Sequence, residues 1–360
     1  MSRKNIYFFS VLLSILLLPL FLISKKQGKL RQIYSVVATM QTEPVRTMGD
    51  KADDPCIYVH PTQPEQSLII GTDKDKKKGG LRVYNMDGKQ VHFASDGKMN
   101  NVDLRYEFPL KGKEIVLVTA GNRSNNSLAV YKLNEETQKL ENLAARDITL
   151  GIKVYGSCMY KSPKTGKFYA FVNDKKGNIE HWELFETKGK IDAKKVRQFS
   201  VPSQAEGCVV DDDLGHLYVG EERMGIWKFY AEPDGNKTGK LIDSIGKNLT
   251  ADVEGLTIYY ADDKTGYLIA SSQGDNTYAV YERQGDNKYL GSFKIVEGDG
   301  IDGTSDTDGI DVTSVSLGEN FPHGMFVVQD GNNKYGKQNF KCVPWESIAN
   351  QFSPPLKIAN

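Results

Sequence analysis

Four blocks of this 360-residue chain repeat one pattern. Lys164–Phe185 (KTGKFYAFVNDKKGNIEHWELF) reads as a charged turn, a strand, a polar turn with glycine, and a second strand. Lys264–Glu282 (KTGYLIASSQGDNTYAVYE), Gly215–Tyr230 (GHLYVGEERMGIWKFY) and Glu114–Leu133 (EIVLVTAGNRSNNSLAVYKL) repeat it. Such alternating runs, broken by Gly, Asp and Asn, mark short antiparallel strands, and little after residue 50 has helical periodicity. Before each pair lies a further strand opening on polar or acidic residues, near Asp53, Asp103, Tyr155, Glu206, Asp252 and Asp308. Their spacing of about 50 residues is that of propeller blades. One four-stranded sheet cannot bury both of its faces, whereas sheets stacked face to face can. The expected fold is therefore all-β: a six-bladed β-propeller with four-stranded antiparallel blades around a central channel. The leftover stretch near Thr42–Val45 is expected to complete a blade where the ring closes. A pair of β-sandwiches is the rival, and the sixfold recurrence argues against it.

Ahead of the repeats, Arg3 and Lys4 precede an apolar run from Ile6 to Ser24 that ends at Lys25 and Lys26. Residues 1–31 read as a signal peptide or a membrane anchor. No cysteine follows the run, which argues against a lipoprotein anchor. Residues 32–42 are expected to be a linker and 43–360 the propeller. The protein is expected to be secreted, or held in the periplasm or cell envelope, and monomeric. Six basic residues (Arg3, Lys4, Lys25, Lys26, Lys29, Arg31) precede the first acid, so the remainder carries 46 − 6 = 40 basic against 46 acidic residues. A net of −6 argues against nucleic acid as a partner. Cys56, Cys158, Cys208 and Cys342 each lie in an apolar strand-like run, show no framework spacing, and are expected to be buried thiols.

Strands that line a channel start near its mouth, so blade openings converge in space. Asp53, Asp54, Asp103, Glu206, Asp252, Glu254, Asp306 and Asp308 are thereby expected to share one site. Carboxylates this dense repel one another unless something positive sits among them. Hard oxygens on tight turns suit calcium. The turn after each blade's second strand carries Lys74, Lys76, Lys77 and Lys78 in blade one, Arg123 in blade two, and Lys175 and Lys176 in blade three. The same turn holds Glu221 and Glu222 in blade four and Gln273 in blade five. A basic arc facing bound cations is what a phosphate ester would need. Other phosphatase chemistries lack their motifs: there is no RHG, no Cys-x5-Arg, no GxSxG and no Walker A. Gly298–Gly303 matches GxGxxG without a βαβ context, and the five histidines show no zinc spacing.

These residues belong to a recognisable set of blocks: DDP at 53–55, NNVDLRY at 100–106, GNRS at 121–124, VYG at 154–156, AEG at 205–207, DVEGLTIYY at 252–260, SSQG at 271–274, DGTSDTDGIDV at 302–312 and QNFK at 338–341. With them the chain resembles the β-propeller phytases, the calcium-dependent alkaline phytases typical of Bacillus. The resemblance implies calcium-dependent hydrolysis of phytate (myo-inositol hexakisphosphate) and other inositol phosphates by direct attack of a calcium-bound water. It implies that Asp53, Asp54, Glu206, Asp252, Glu254 and Asp308 bind the catalytic calcium ions, with Glu221 and Glu222 an acidic pair beside them. It assigns Lys74, Arg123, Tyr155 and Lys175 to the grip on phosphate, with Lys76 and Lys77 as substitutes for Lys74 on a lengthened loop. Gln273 falls on the rim. Asn100, Asn101, Asp302 and Asn339 fall in segments used for structural calcium. Lys176 stands where Bacillus members carry an acid, so it counts here as a substrate contact. A non-catalytic, calcium-stabilised propeller that binds an envelope partner is the alternative.

Overall fold

The structure, a computed structural model, describes residues 31–334 and 336–359. The leader expected over 1–31 lies, Arg31 apart, outside the described residues. Six antiparallel sheets follow one another along the chain. Their innermost strands are Ala52–Tyr58, Met99–Leu110, Val154–Lys161, Ala205–Asp211, Val253–Tyr260 and Ile310–Thr313. Blades one to five run outward in chain order, each strand paired with the next. The result is the six-bladed β-propeller that the repeats predict. Six hydrophobic clusters fill the seams between neighbouring blades. In the seam between blades five and six, the Trp345 indole stacks on Tyr259 with centroids 3.8 Å apart. Truncating so large a buried aromatic to Ala would remove about 3–5 kcal/mol.

Ring closure follows the expectation and extends it. Blade six takes its outermost strand, Met40–Gln41, from the other end of the chain, paired with Lys341 and Cys342. The pairing continues through Thr42 N to Phe340 O and Val45 N to Gln338 O, so the leftover stretch does complete a blade. Ile33–Val37 adds a parallel fifth strand to blade five, from Ile33 opposite Ser292 to Val37 opposite Val296. Residues 32–42 are therefore two sheet edges and not a linker. Unpaired N–H and C=O groups on the outer strands of blades five and six draw the segment in.

The cysteine expectation holds for two residues. Cys56 and Cys342 are buried thiols. Cys158 and Cys208 sit on the innermost strands of blades three and four with Cα atoms 5.8 Å apart, and form a disulfide. Their positions in separate repeats gave no spacing signal; the stacking of the two blades makes the pair.

Glycines after the functional positions bring the inner strands together. A Cβ on Gly156 would lie 1.9 Å from Glu206 O, and one on Gly207 1.9 Å from Glu254 O. The YG, EG and DG dipeptides of the sequence thus mark where one blade's backbone presses against the next.

Candidate metal and phosphate site

The mouth of the channel gathers buried carboxylates. Glu206, Glu222 and Glu254 place one oxygen each within 4.8 Å of one another, and all three are buried. Asp53 and Asp308, bridged by Lys74, complete the floor from blades one and six, while Asp54 lies deeper in the channel, accepting from Val102 N beside Asp103 and Asp311. Glu254 Oε2 is buried with no hydrogen-bond partner. Burial, with Asp53 next, pushes the Glu206 carboxyl up to about 7. Burial and the nearby Glu206 hold Glu254 well above the usual carboxylate range. Burial likewise raises Asp308, against the opposing pull of Lys74. Burial is the first cause of all three shifts, and neighbouring carboxylates add to it. Hard oxygens, an unpartnered buried carboxylate oxygen and excess negative charge fit a divalent cation such as calcium.

A basic wall stands beside the floor. Asp50, Lys51, Lys74, Asp75, Lys76, Lys77, Lys98, Arg123, Tyr155 and Lys175 line a cavity of about 540 Å³. The Tyr155 ring organises two of its cations, with Lys175 Nζ 4.0 Å and the Arg123 guanidinium 4.9 Å from its centroid. Burial, then Glu206 and Glu254, keep the Tyr155 phenol protonated, and it donates to Glu206. Arg123 Nη1 donates to Asn100 Oδ1 at 2.9 Å, and Asn100 Nδ2 donates to Glu206 Oε1 at 2.7 Å. One chain of contacts thus runs from the basic wall to the acidic floor.

A model of the phytase family matches residues 4–360. The chain belongs to the phytase family. It is 50% identical over 327 residues to the 3-phytase of Bacillus subtilis strain 168, covering 88% of this chain and 85% of that one. The crystal structure of regucalcin, a calcium-binding protein of Agrobacterium tumefaciens, superposes with a TM-score of 0.54. At 10% identity, over 88% of this chain and 97% of that one, this likeness speaks to the propeller fold alone.

Within this phytase, most of the expected site residues come together, and several take other places. Lys74, expected to grip phosphate, points into the floor. Its ammonium lies 2.6 Å from Asp308, 2.8 Å from Asp50 and 2.9 Å from Asp53. Burial disfavours that charge, and Asp53, Asp308, Glu206 and Asp50 together more than reverse the effect. Lys76 and Lys77 hold the open rim instead. Glu221 is fully buried, with its carboxylate taken by Ser203 Oγ and Trp227 Nε1. It supports the wall beneath Glu222 and does not face the trio. Asp252 is part exposed, with Arg223 Nε 3.7 Å away, and Gln273 Nε2 donates to Asp308 Oδ1 at 2.9 Å.

Asn100 and Asn101 belong to the mouth and not to a separate structural site, since Asn101 N donates to Asp53 Oδ2. Their strand starts at Met99 and bulges between Asn100 and Val102. Asp103, expected at the mouth, lies three residues further along this inner strand and lines the cavity at the channel's far end. Asp302 is elsewhere, 2.7 Å from the buried ammonium of Lys341, with its other oxygen accepting from Lys334 N. Oδ1 is paired with Lys341 by charge but is buried without a hydrogen-bond donor. Asn339 lies at the seam with Gln41 and Thr42, its Oδ1 buried without a partner. Lys98 went unnoticed in the sequence. It precedes the NNVD block, and its backbone is held by Arg123 N and Ser124 Oγ at 2.8 Å each.

The far end of the channel opens into a cavity of about 630 Å³ lined by Asp103, Arg105, Asp212 and Asp311 among apolar side chains. Here every carboxylate is satisfied. Arg105 donates to Asp212, Asp103, Leu104 O and Met159 O. Asp103 also accepts from Met159 N, and Asp311 from Ile57 N, Val312 N and Thr257 Oγ1.

Proposed function

We propose that the chain hydrolyses phytate in a calcium-dependent reaction at the channel mouth. One observation carries this reading: a basic cavity stands against buried carboxylates that the protein itself leaves short of positive charge. Calcium bound among Asp53, Asp54, Glu206, Glu222, Glu254 and Asp308 would supply that charge and lower the pKa of water. Lys76, Lys77, Lys98, Arg123 and Lys175 hold the charge of the phosphate ester, Arg123 through a guanidinium suited to paired phosphate oxygens. Tyr155 fixes Arg123 and Lys175 by its ring face and stays protonated, so it serves as a donor and not as a nucleophile. Lys74 ties Asp53 to Asp308 and shapes the floor. Among the described residues, no Ser, Thr, Cys or His lines the basic cavity. That lining supports attack by water without a covalent enzyme intermediate. The basic residues and apolar run at the start of the chain support an exported enzyme.

The test is phosphate release from phytate by the full chain, first with calcium and then with excess chelator. Release that requires calcium is the expected result. No release by folded protein in either condition would move the reading to a non-catalytic, calcium-stabilised propeller.

A further inference from the structure

One covalent tie lies beside the mouth. The disulfide between Cys158 and Cys208 joins the innermost strands of blades three and four, Val154–Lys161 and Ala205–Asp211. Those two strands also carry Tyr155 and Glu206, three and two residues ahead of the cysteines. We propose that Cys158 and Cys208 are positioning residues for the calcium site, their disulfide holding Glu206 in place against Tyr155. The proposal rests on the calcium-dependent reading above and extends it to what sets calcium affinity.

Glu206 needs such support because the ladder beside it is interrupted. Strand pairing in blade four passes from Ala205 opposite Glu221 to Cys208 opposite Val219, which leaves Glu206 and Gly207 in a bulge. In blade three the pairing skips Tyr155 in the same way, between Val154 and Gly156. Tyr155 donates to Glu206 across this seam, so two side chains that must meet both stand on backbone the ladders skip. Cys208 is the first residue of its strand at which pairing resumes. Two other seams are fastened at the mouth by direct backbone bonds. Gly255 N donates to Asp308 O at 2.6 Å between blades five and six, and Gly309 N to Asp53 O at 2.9 Å between blades six and one. The matching glycine of blade three, Gly156, donates to Asn173 Oδ1 instead, and Asn173 Nδ2 reaches Glu206 O at 2.8 Å. A side chain thus stands between these two backbones where the other seams meet directly, and the disulfide supplies the rigid link.

The experiment titrates calcium by calorimetry into the full chain stripped with chelator, and compares the unaltered protein with Cys158→Ala combined with Cys208→Ala. The apparent dissociation constant of calcium should rise about tenfold, the lower end of what losing a group that orients a metal ligand costs. Phosphate release from phytate should fall at limiting calcium and return to within about twofold of the unaltered chain at saturating calcium. Should the double alanine variant not fold, Cys158→Val combined with Cys208→Ala returns apolar volume to the seam and is read in the same way. Cys342→Ala, which removes a buried thiol outside the crosslink, should leave calcium affinity unchanged. An unchanged dissociation constant in a folded double variant would overturn the proposal. So would an equal rise in Cys342→Ala, or a loss of release that saturating calcium does not restore, since both mark general damage. Four free thiols instead of two in the denatured, unreduced protein would remove the crosslink itself. No calcium binding by the unaltered chain would overturn the calcium reading, and the positioning role with it.

Discussion

The two ends of the channel each gather buried carboxylates near one arginine, and the two arginines do opposite work. Arg105 spends its donors on Asp103, Asp212 and two carbonyls, while backbone N–H groups cover the remaining oxygens. Arg123 makes one hydrogen bond, to Asn100, and otherwise lies over Tyr155 beside the open cavity. At the far end every acid oxygen has a donor, and the cluster ties blades together. At the mouth Glu254 Oε2 is buried with no donor at all. The difference teaches how to tell a structural acid cluster from a functional one: by which oxygens lack donors, and not by the number of acids.

The largest effect expected from breaking this contrast is on Arg105. Arg105→Ala removes both donors the guanidinium gives to half-buried Asp212 and one of those on Asp103, and should cost about 3 kcal/mol in urea unfolding. A loss under about 1 kcal/mol would show that the far end is not held by its arginine. Next comes Arg123→Ala, which should lower kcat/KM for phytate by about 100-fold, roughly 2.7 kcal/mol of transition-state stabilisation. Its unfolding free energy should stay within about 0.5 kcal/mol of wild type. Equal damage to stability would erase the distinction between the two arginines.

The smallest effect is on the pH axis and separates the two ends directly. Asp212 and Asp311 are each pushed up to about 6, chiefly by burial. Glu206 is pushed up to about 7. A carboxyl raised on folding contributes stability that is present below its unfolded pKa and lost as pH rises through the folded one. In chelator, stability should therefore fall from about pH 4 upward, the far end's share complete near pH 6 and the mouth's continuing to about pH 7. Calcium should abolish the mouth's share and leave the far end's, because it binds the native mouth and not the unfolded chain. Melting curves across pH with and without chelator would show this. Identical curves would remove calcium from the mouth.

The blade repeat was legible in the chain because each blade brings its own turn chemistry and strand alternation. Glu206, Glu254 and Asp308 were legible for a related reason: each precedes a glycine at a blade opening, where backbones crowd. What the sequence did not reveal depended on contacts between repeats. Asp103 shares its block with Asn100, but the inner strand leads away from the mouth and leaves the two at different depths of the channel. Glu221 and Glu222 are adjacent, yet one turns toward Trp227 and the other toward Glu206 and Glu254. Lys74 has the look of a rim lysine until Asp50 and Asp53 surround it. Lys98 carries no motif and acquires meaning from Arg123 and Tyr155, with which it lines the basic cavity.

Ring closure has a consequence for how the molecule is made. Met40 and Gln41 find their partners at Cys342 and Lys341, some three hundred positions later. Blade six cannot be finished until nearly the whole polypeptide has been synthesised, whereas blades two to four assemble from local hairpins. Until that moment the waiting segment and the last inner strands expose unpaired edges, the surfaces most open to wrong partners. Completion is then a single late event, and a chain cut short before Lys341 would hold five blades and no closed circle.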